Sequence, residues 1–398
     1  MKNLTRGLGR NVILLGVVSL LTDVSSEMML AVLPLFIASL GGAGIAVGLI
    51  GGIGDSVASL LNVFSGYWSD KMAKRKPFAF MGYLLSAVSK LFFPLVSSWS
   101  QLLILRPIER IGKGIRTAPR DALLATSTVT GYRGRAFGFH RAMDSLGAFL
   151  GTLLAFILFW HYGLGFRTIL LIAALSGFVA LFPFIRIAEA RGHVEQPVPG
   201  SLRLGIANLP DAFKKYLVIA IIFSLGNFTY MFFILRAREV FEPLFPGRMA
   251  SAIPILLYCW FNAVYSVLSM PAGIFSDRFG RQLALRIGYL IFGISCLGFA
   301  LIGGLLSFII FFAAYGASFA LVEGNQRAFA ADFVGRDTRG SALGLFHTSV
   351  SASTLAAGLF AGLLWNMDPR LPFLYGAVLS FTAVVGIGRI PSVPPRRD

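Results

Sequence analysis

Apolar runs long enough to cross a bilayer recur twelve times along the 398-residue chain, and no other feature constrains its fold as tightly. Spanning the hydrocarbon core takes about 20 apolar residues in a helix. Runs of that order fall near 12–40, 46–68, 77–98, 101–125, 136–160 and 167–187, then near 214–235, 251–275, 283–303, 306–330, 341–365 and 370–390. Most connections are very short, so neighbouring spans must be antiparallel. The first run exceeds a signal-peptide core of about 7–15 residues and lacks a small-residue cleavage site after it, so it is expected to stay in the mature protein. Hydrophobic residues make up 56% of the chain and charged residues 13%, about half the roughly 25% of a soluble domain. A soluble globule and a disordered chain are both excluded. Cys259 and Cys296 sit inside apolar runs and form neither a metal spacing nor a secreted framework.

The net charge of +17 would suggest nucleic acid in a soluble protein. Its distribution points to topology instead, because cytoplasmic loops collect Lys and Arg. With both termini and every even-to-odd connection on one side, that side receives twenty-five Lys and Arg residues and the other five. Both termini are therefore expected in the cytoplasm, in a multi-pass protein of the cell membrane.

The longest polar interruption, 188–213, contains Pro197, Pro199, Gly200 and Pro210. It is expected to link two six-span bundles, 1–187 and 214–398, and these repeat one another. Gly66-Tyr-Trp-Ser-Asp70-Lys71 returns as Gly273-Ile-Phe-Ser-Asp277-Arg278, an offset of 207. Arg133-Gly134-x-Ala136-x-Gly138 returns as Arg339-Gly340-x-Ala342-x-Gly344, an offset of 206. Duplicated six-helix halves mark a large class of secondary transporters.

These loops carry a family resemblance. The signature Gly-x-x-x-Asp-[Arg/Lys]-x-Gly-[Arg/Lys]-[Arg/Lys] is met by Gly66, Asp70, Lys71, Lys74 and Arg75, with Ala73 where Gly is usual. Its second copy is met by Gly273, Asp277, Arg278, Gly280 and Arg281, with Gln282 in the last basic place. Over essentially its whole length the chain resembles the major facilitator superfamily, in particular its prokaryotic twelve-helix, drug/proton antiporter-like permeases. The resemblance implies an all-α membrane fold of two helical bundles that rock about a central cavity. It assigns the signature residues to gating, with Gly66 allowing spans 2 and 11 to approach and Asp70 facing the start of span 11. A carboxylate beside a helix N-terminus gains about 0.3–1 kcal/mol. Arg116 and Glu323, at equivalent repeat positions, are expected to form an inner gate pair.

Ionisable residues within spans cost about 2.5–3.5 kcal/mol each on insertion scales, which makes them the most informative set. Span 1 carries Asp23 and Glu27, one turn apart. Span 4 carries Arg106, Glu109, Arg110 and Lys113, and span 5 carries His140, Arg141 and Asp144. Span 7 is polar but uncharged around Asn227, Thr229 and Tyr230. At 1.5 Å per residue, Asp23 lies about 17 Å and Glu27 about 23 Å from the cytoplasmic face, and Arg110 and Arg106 about 16 and 22 Å. Two rungs are expected, Asp23 with Arg110 and Glu27 with Arg106, with Asp144 near the first. Burial disfavours a charged carboxylate and a neighbouring arginine favours it, so breaking such a rung releases or takes up a proton. The resemblance points the same way, since a span-1 carboxylate facing a span-4 arginine is its recurrent proton-coupling arrangement. Glu109 is expected to pair within its own helix with Arg106 or Lys113, His140 to be packed, and Gly147-x-x-x-Gly151 to serve close packing. Asp55 and Lys90 receive no role.

Four His and two Cys form no recognisable nucleophile–base pair or metal set, so neither an enzyme nor a metal site is expected. With no phosphate-binding loop, ATP-driven pumping is unsupported, and no cofactor is expected. The partners expected are lipid bilayer, protons and a small-molecule substrate, bound by a monomer, with no nucleic acid. The function this supports is proton-coupled secondary transport, with efflux of an amphipathic organic molecule favoured. Thr152, where antiporters carry Pro, weighs against export. Alternatives are transport of a metal ion or iron-related chelate, proton-driven uptake of an organic solute, and a non-transporting receptor.

Overall fold

The computed structural model describes residues 9–71, 75–128, 132–189, 209–335 and 338–390, with backbone alone at 63, 64, 66–71, 339 and 340. Among them every regular element is helical. The first half comprises α1 (Arg10–Ser39), α2 (Ile45–Lys71), α3 (Arg75–Lys90), α4 (Trp99–Thr126), α5 (Arg133–Trp160), α6 (Phe166–Val179) and the short α7 (Leu181–Ile185). The second comprises α8 (Asp211–Gly226), α9 (Met231–Phe241), α10 (Met249–Phe279), α11 (Arg281–Leu301), α12 (Leu305–Asp332), α13 (Arg339–Met367) and α14 (Leu371–Gly388).

Eleven described segments are long and apolar enough to cross a membrane. The expected fourth span is the exception, and its charges are the reason. Arg106, Glu109, Arg110, Lys113, Arg116, Arg120 and Asp121 all lie on α4, which is nonetheless a continuous 28-residue helix. Its start is fixed locally by a capping box, with the Ser98 hydroxyl accepting from the Ser100 amide and the Gln101 side chain accepting from the Ser97 and Ser98 amides. Span 6 is divided between α6 and α7, and span 7 between α8 and α9. The second break falls on the polar stretch Asn227–Tyr230, where Asn227 leaves helical geometry with ψ at 71°. Glycine at position 280, with φ of 95°, makes the sharp turn from α10 into α11.

Packing divides the chain into two compact units, Met1–Gly41 with Val57–Pro197, and Gly42–Ser56 with Val198–Asp398. The second unit thus takes the first turns of α2, where the sequence suggested a division between 187 and 214. In the first unit α1 lies against α5 and α6, and α3 against α4. In the second, α11 packs on α12 and α14, α10 on α12, and α8 on α13 and α14. Residues 42–56 join the second unit through a seam of bare backbone. A Cβ on Gly48 would lie 2.0 Å from the Gly358 carbonyl oxygen, and one on Gly362 would lie 2.7 Å from the Ile45 Cα. Gly48 of span 2 and Gly358 of span 11 meet in this seam. The surroundings of Gly66, the side chains of Asp70 and Lys71, and all of Lys74 lie outside the described residues.

Candidate functional site

The intramembrane charges of the first unit are assembled by two helix pairs. Along the α1–α5 seam, a Cβ at Gly147 would come within 2.5 Å of the Leu20 carbonyl oxygen, and one at Gly151 within 2.5 Å of the Val24 oxygen. Those two absences of side chain let the backbones meet. They also set Asp23 and Glu27 over the seam, since the same hypothetical atoms would lie 3.0 Å from the Asp23 Cβ and 3.1 Å from the Glu27 Cβ. One turn toward the α5 N-terminus, the Ser19 hydroxyl donates to Asp144 Oδ1, and His140 Nδ1 lies 3.5 Å from Asp144 Oδ2.

The second pair is α3–α4. Arg106 Nη1 reaches Glu109 Oε2 at 2.8 Å, and Arg110 Nε lies 3.7 Å from the same oxygen. Arg106 is only 1% exposed and Glu109 equally so. Breaking such a buried pair costs about 3–5 kcal/mol, because the surviving charge has no water to turn to. Ser86 of α3 donates to the Glu109 carbonyl and accepts from Arg116 Nη1 at 3.1 Å. The Arg116 guanidinium also sits 4.6 Å above the Tyr83 ring. Lys90, at the last turn of α3, is 2% exposed and donates to the Ser25 and Ser26 hydroxyls of α1, both at 2.9 Å. These hydroxyls lie between Asp23 and Glu27 in the sequence, so Lys90 clips the acidic turn of α1 to α3.

The arrangement corrects one expected rung. No ion pair joins Asp23 to Arg110. Arg110 is drawn to Glu109, one residue away on its own helix, and the charges that act on Asp23 are Asp144, Lys113, Arg116 and Glu27. Asp144 does stand beside Asp23, as the depth count suggested. The intrahelical pairing of Glu109 with Arg106 is present, and His140 is buried. Lys90 went unassigned because it stands at a span's end, where a lysine ordinarily reaches water. Its signal was the run of hydroxyls on α1 at matching depth.

Glu323 accepts a hydrogen bond from Tyr265 and lies 4.0 Å from Arg327; Arg116 has the partners already given. At the repeated signature, Arg281 pairs with Asp332 at the end of α12, and Gln282 donates to the Ile387 carbonyl in the last turn of α14 and the Ile390 carbonyl just beyond it, both at 2.8 Å. Arg278 lies over the Phe279 ring at 5.4 Å. In the first copy, the Arg75 and Lys76 amides donate to the Glu189 carboxylate at 3.0 Å each, an acid satisfying the open N-terminus of α3. Gly273 has open space where a Cβ would stand, and Asp277 makes no ion pair or hydrogen bond with described residues.

The sequence profile of the Major Facilitator Superfamily matches residues 15–243 and 248–398. The chain belongs to that superfamily. An uncharacterised MFS-type transporter of Methanocaldococcus jannaschii is 44% identical over 375 residues, covering 94% of this chain and 93% of that protein. The multidrug resistance protein MdtH of Yersinia enterocolitica is 22% identical over 88% of this chain and 87% of its own length. Among solved structures, a mutant of the nucleoside transporter NupG superposes with a TM-score of 0.82 at 14% identity, over 96% of this chain and 99% of that one. A D-xylose–proton symporter gives 0.74 at 16% identity, over 97% and 99%. The fold is that of this superfamily, and the chain is a multi-pass secondary transporter.

Proposed function

We propose that this superfamily member expels an amphipathic organic molecule in exchange for protons, with Asp23 as the principal proton carrier and Glu27 and Asp144 as its acidic neighbours. The observation that carries the reading is the division of labour in the first unit. Arg106 and Arg110 of α4 both reach Glu109, while Asp23 has no ion-pair partner among the described residues. A carboxylate inside a span that is not bound into a salt bridge gains and loses a proton at smaller cost than one that is. Arg106, Arg110 and Lys113 then serve as the fixed positive field in which that proton is held. The signature residues Asp70, Lys71, Lys74, Arg75, Asp277, Arg278 and Arg281 set the balance between conformations. Export is supported by the likeness to a multidrug resistance protein. An amphipathic cargo is supported by the ring ladder of the second unit, in which Tyr230 stacks on Tyr258 at 4.9 Å, Phe261 on Tyr315 at 4.6 Å and Tyr315 on Phe233 at 4.3 Å.

The test is transport of the planar cationic dye ethidium into inside-out vesicles under an imposed pH gradient. Asp23→Asn is expected to abolish gradient-driven accumulation while retaining dye exchange, with Glu27→Gln a weaker version of the same loss. Accumulation by the Asp23→Asn, Glu27→Gln double variant at the unmodified pH dependence would show that α1 does not carry the proton.

A further inference from the structure

Asp23 lies ~20 Å along α1 from the helix start at Arg10, so a proton reaching it from the cytoplasm-assigned side needs intermediate stations. The structure holds a series of them. His140 and Asp144 lie on one face of α5, four residues apart, at ~10 and ~16 Å from Arg133 at the same end. His140 Nδ1 is 3.5 Å from Asp144 Oδ2, and the Ser19 hydroxyl of α1 holds Asp144 Oδ1. Asp144 is in turn among the charges acting on Asp23.

The other ring nitrogen supplies the independent observation. His140 is 4% exposed, yet its Nε2 has no hydrogen-bond partner among the described residues. Leaving such an atom unsatisfied costs about 1–3 kcal/mol, and buried water is the usual remedy. It is not isolated in this respect. Thr22 Oγ1 on α1, Tyr83 Oη on α3 and Arg116 Nε on α4 are likewise buried without hydrogen-bond partners among the described residues, and Tyr83 faces the charges of Arg120, Arg116, Asp144 and Asp23. These orphaned polar atoms come from four helices of the first unit and are of the kind that buried water satisfies. The charges that face His140 are Arg120 and Asp121 of α4 and Asp144 and Arg141 of α5, and α1 contributes the Ser19 hydroxyl beyond Asp144. Asp121, paired with Arg120 at 2.8 Å, has a side chain 43% exposed and opens this end of the series to solvent.

We infer that His140 and Asp144, with Ser19 holding the carboxylate, form the inner segment of the proton path, passing protons between cytoplasmic water and Asp23. This rests on the proposed proton coupling through Asp23. A proton from water binds His140 Nε2, making the ring a cation. The Nδ1 proton passes to Asp144 Oδ2, which neutralises the carboxylate and leaves the ring neutral with its proton on Nε2. Asp144 then gives its proton to the Asp23 carboxylate and returns to the ionised form, again accepting from Ser19. The ring resets by tautomer exchange through water, one water molecule giving a proton to Nδ1 and another taking the proton from Nε2, so that the ring is neutral before and after. One proton has moved inward and no other charge has changed. The direction reverses with the gradient.

The experiment uses the full chain in liposomes, oriented with the cytoplasm-assigned face outward and without substrate. A rapid external pH jump is followed through the infrared carboxylic-acid C=O stretch, with Asp23→Asn identifying the Asp23 component. His140→Phe is expected to keep the amplitude of that component and slow its appearance at least tenfold. His140→Gln, which keeps a hydrogen-bonding side chain but cannot relay a proton, is expected to be slowed equally and covers the case in which the Phe variant fails to fold. Imidazole added to His140→Ala is expected to restore the rate, a rescue that a merely structural histidine would not give. Unmodified rates in a folded His140 variant would overturn the relay while leaving Asp23 as carrier. Absence of an Asp23 component in the unmodified protein would overturn the proton-coupling reading and the relay with it.

Discussion

The two halves of this transporter repeat one framework and fill it with opposite chemistry. In the first unit the interior holds Lys90, Arg106, Glu109, Arg110, Arg116 and His140, all buried. In the second, Arg236 is the buried charge among the described residues, and it is spent on structure, donating to the Phe299 carbonyl at 3.0 Å near the end of α11 and pairing with Glu239. What fills the rest is aromatic. Phe223 stacks on Tyr289 at 4.0 Å, Phe233 meets Phe299 at 5.1 Å, and Phe299 meets Phe373 at 5.8 Å. The signature glycines and acids recur at a constant offset, so duplication preserved the order of the spans. The interiors were free to diverge because each bundle closes its own core. One half came to hold charge and the other to pack rings.

That contrast can be broken by substitution. The largest effect is expected from Glu109→Gln, which leaves Arg106 and Arg110 buried without their shared counter-charge. A loss of about 3–5 kcal/mol is expected, read as a large fall in melting temperature of the purified protein. A melting temperature equal to that of the unmodified chain would mean that the first unit does not depend on its charges for stability. Phe233→Leu in the second unit keeps an apolar side chain of lesser volume but removes the parallel contact with Tyr315. The expected cost is about 0.5–1.5 kcal/mol beyond that of the lost area, with ethidium transport reduced and its pH dependence unchanged. A shifted pH profile in that variant would assign titration to the wrong half.

Lys90→Met sharpens the comparison from the other side. Replacing a buried charge by an apolar chain of similar length is often neutral or stabilising, so thermal stability should hold within about 1 kcal/mol. Gradient-driven transport should nevertheless fall, because α1 loses the clip between Asp23 and Glu27. Full transport would reduce Lys90 to a packing residue. The smallest effect belongs to Asp277→Asn, since Asp277 makes no ion pair or hydrogen bond with described residues. Stability is expected to change by less than about 0.5 kcal/mol, and a larger loss in a melting experiment would reveal a partner in another conformation.

Much of the fold was legible because membrane insertion writes directly into sequence. A helix in hydrocarbon must be apolar over its length, so eleven spans stand out as runs of hydropathy. The twelfth, α4, was read as an apolar run at 101–125, but its charges keep it out of the set that hydropathy alone picks out. The break between α8 and α9 left only a trace, the polar stretch at Asn227, Thr229 and Tyr230. In the candidate site, depth along a helix was readable from residue number, and it placed Asp144 beside Asp23. Rotation about the helix axis was not. Arg110 and Glu109 are adjacent in sequence, some 100° apart around an ideal helix, and only side-chain reach in the packed structure turns both Arg106 and Arg110 onto that carboxylate.

By itself, then, the amino-acid sequence determined the class of solvent, the number and order of helices, the duplication and the set of charges kept inside. Each follows from a cost paid residue by residue, whether the transfer of apolar length or the burial of a charge. Tertiary structure decided which charges neutralise one another. Arg106 and Arg110 turn to Glu109, Lys90 to the serines of α1, and Asp23 to no ion-pair partner at all among the described residues. The surroundings of Asp23 and Glu27 depend on where two helix faces meet, and on the α5 side that is set by positions carrying no charge: Gly147 and Gly151, whose missing side chains bring α5 against α1 beside the two carboxylates.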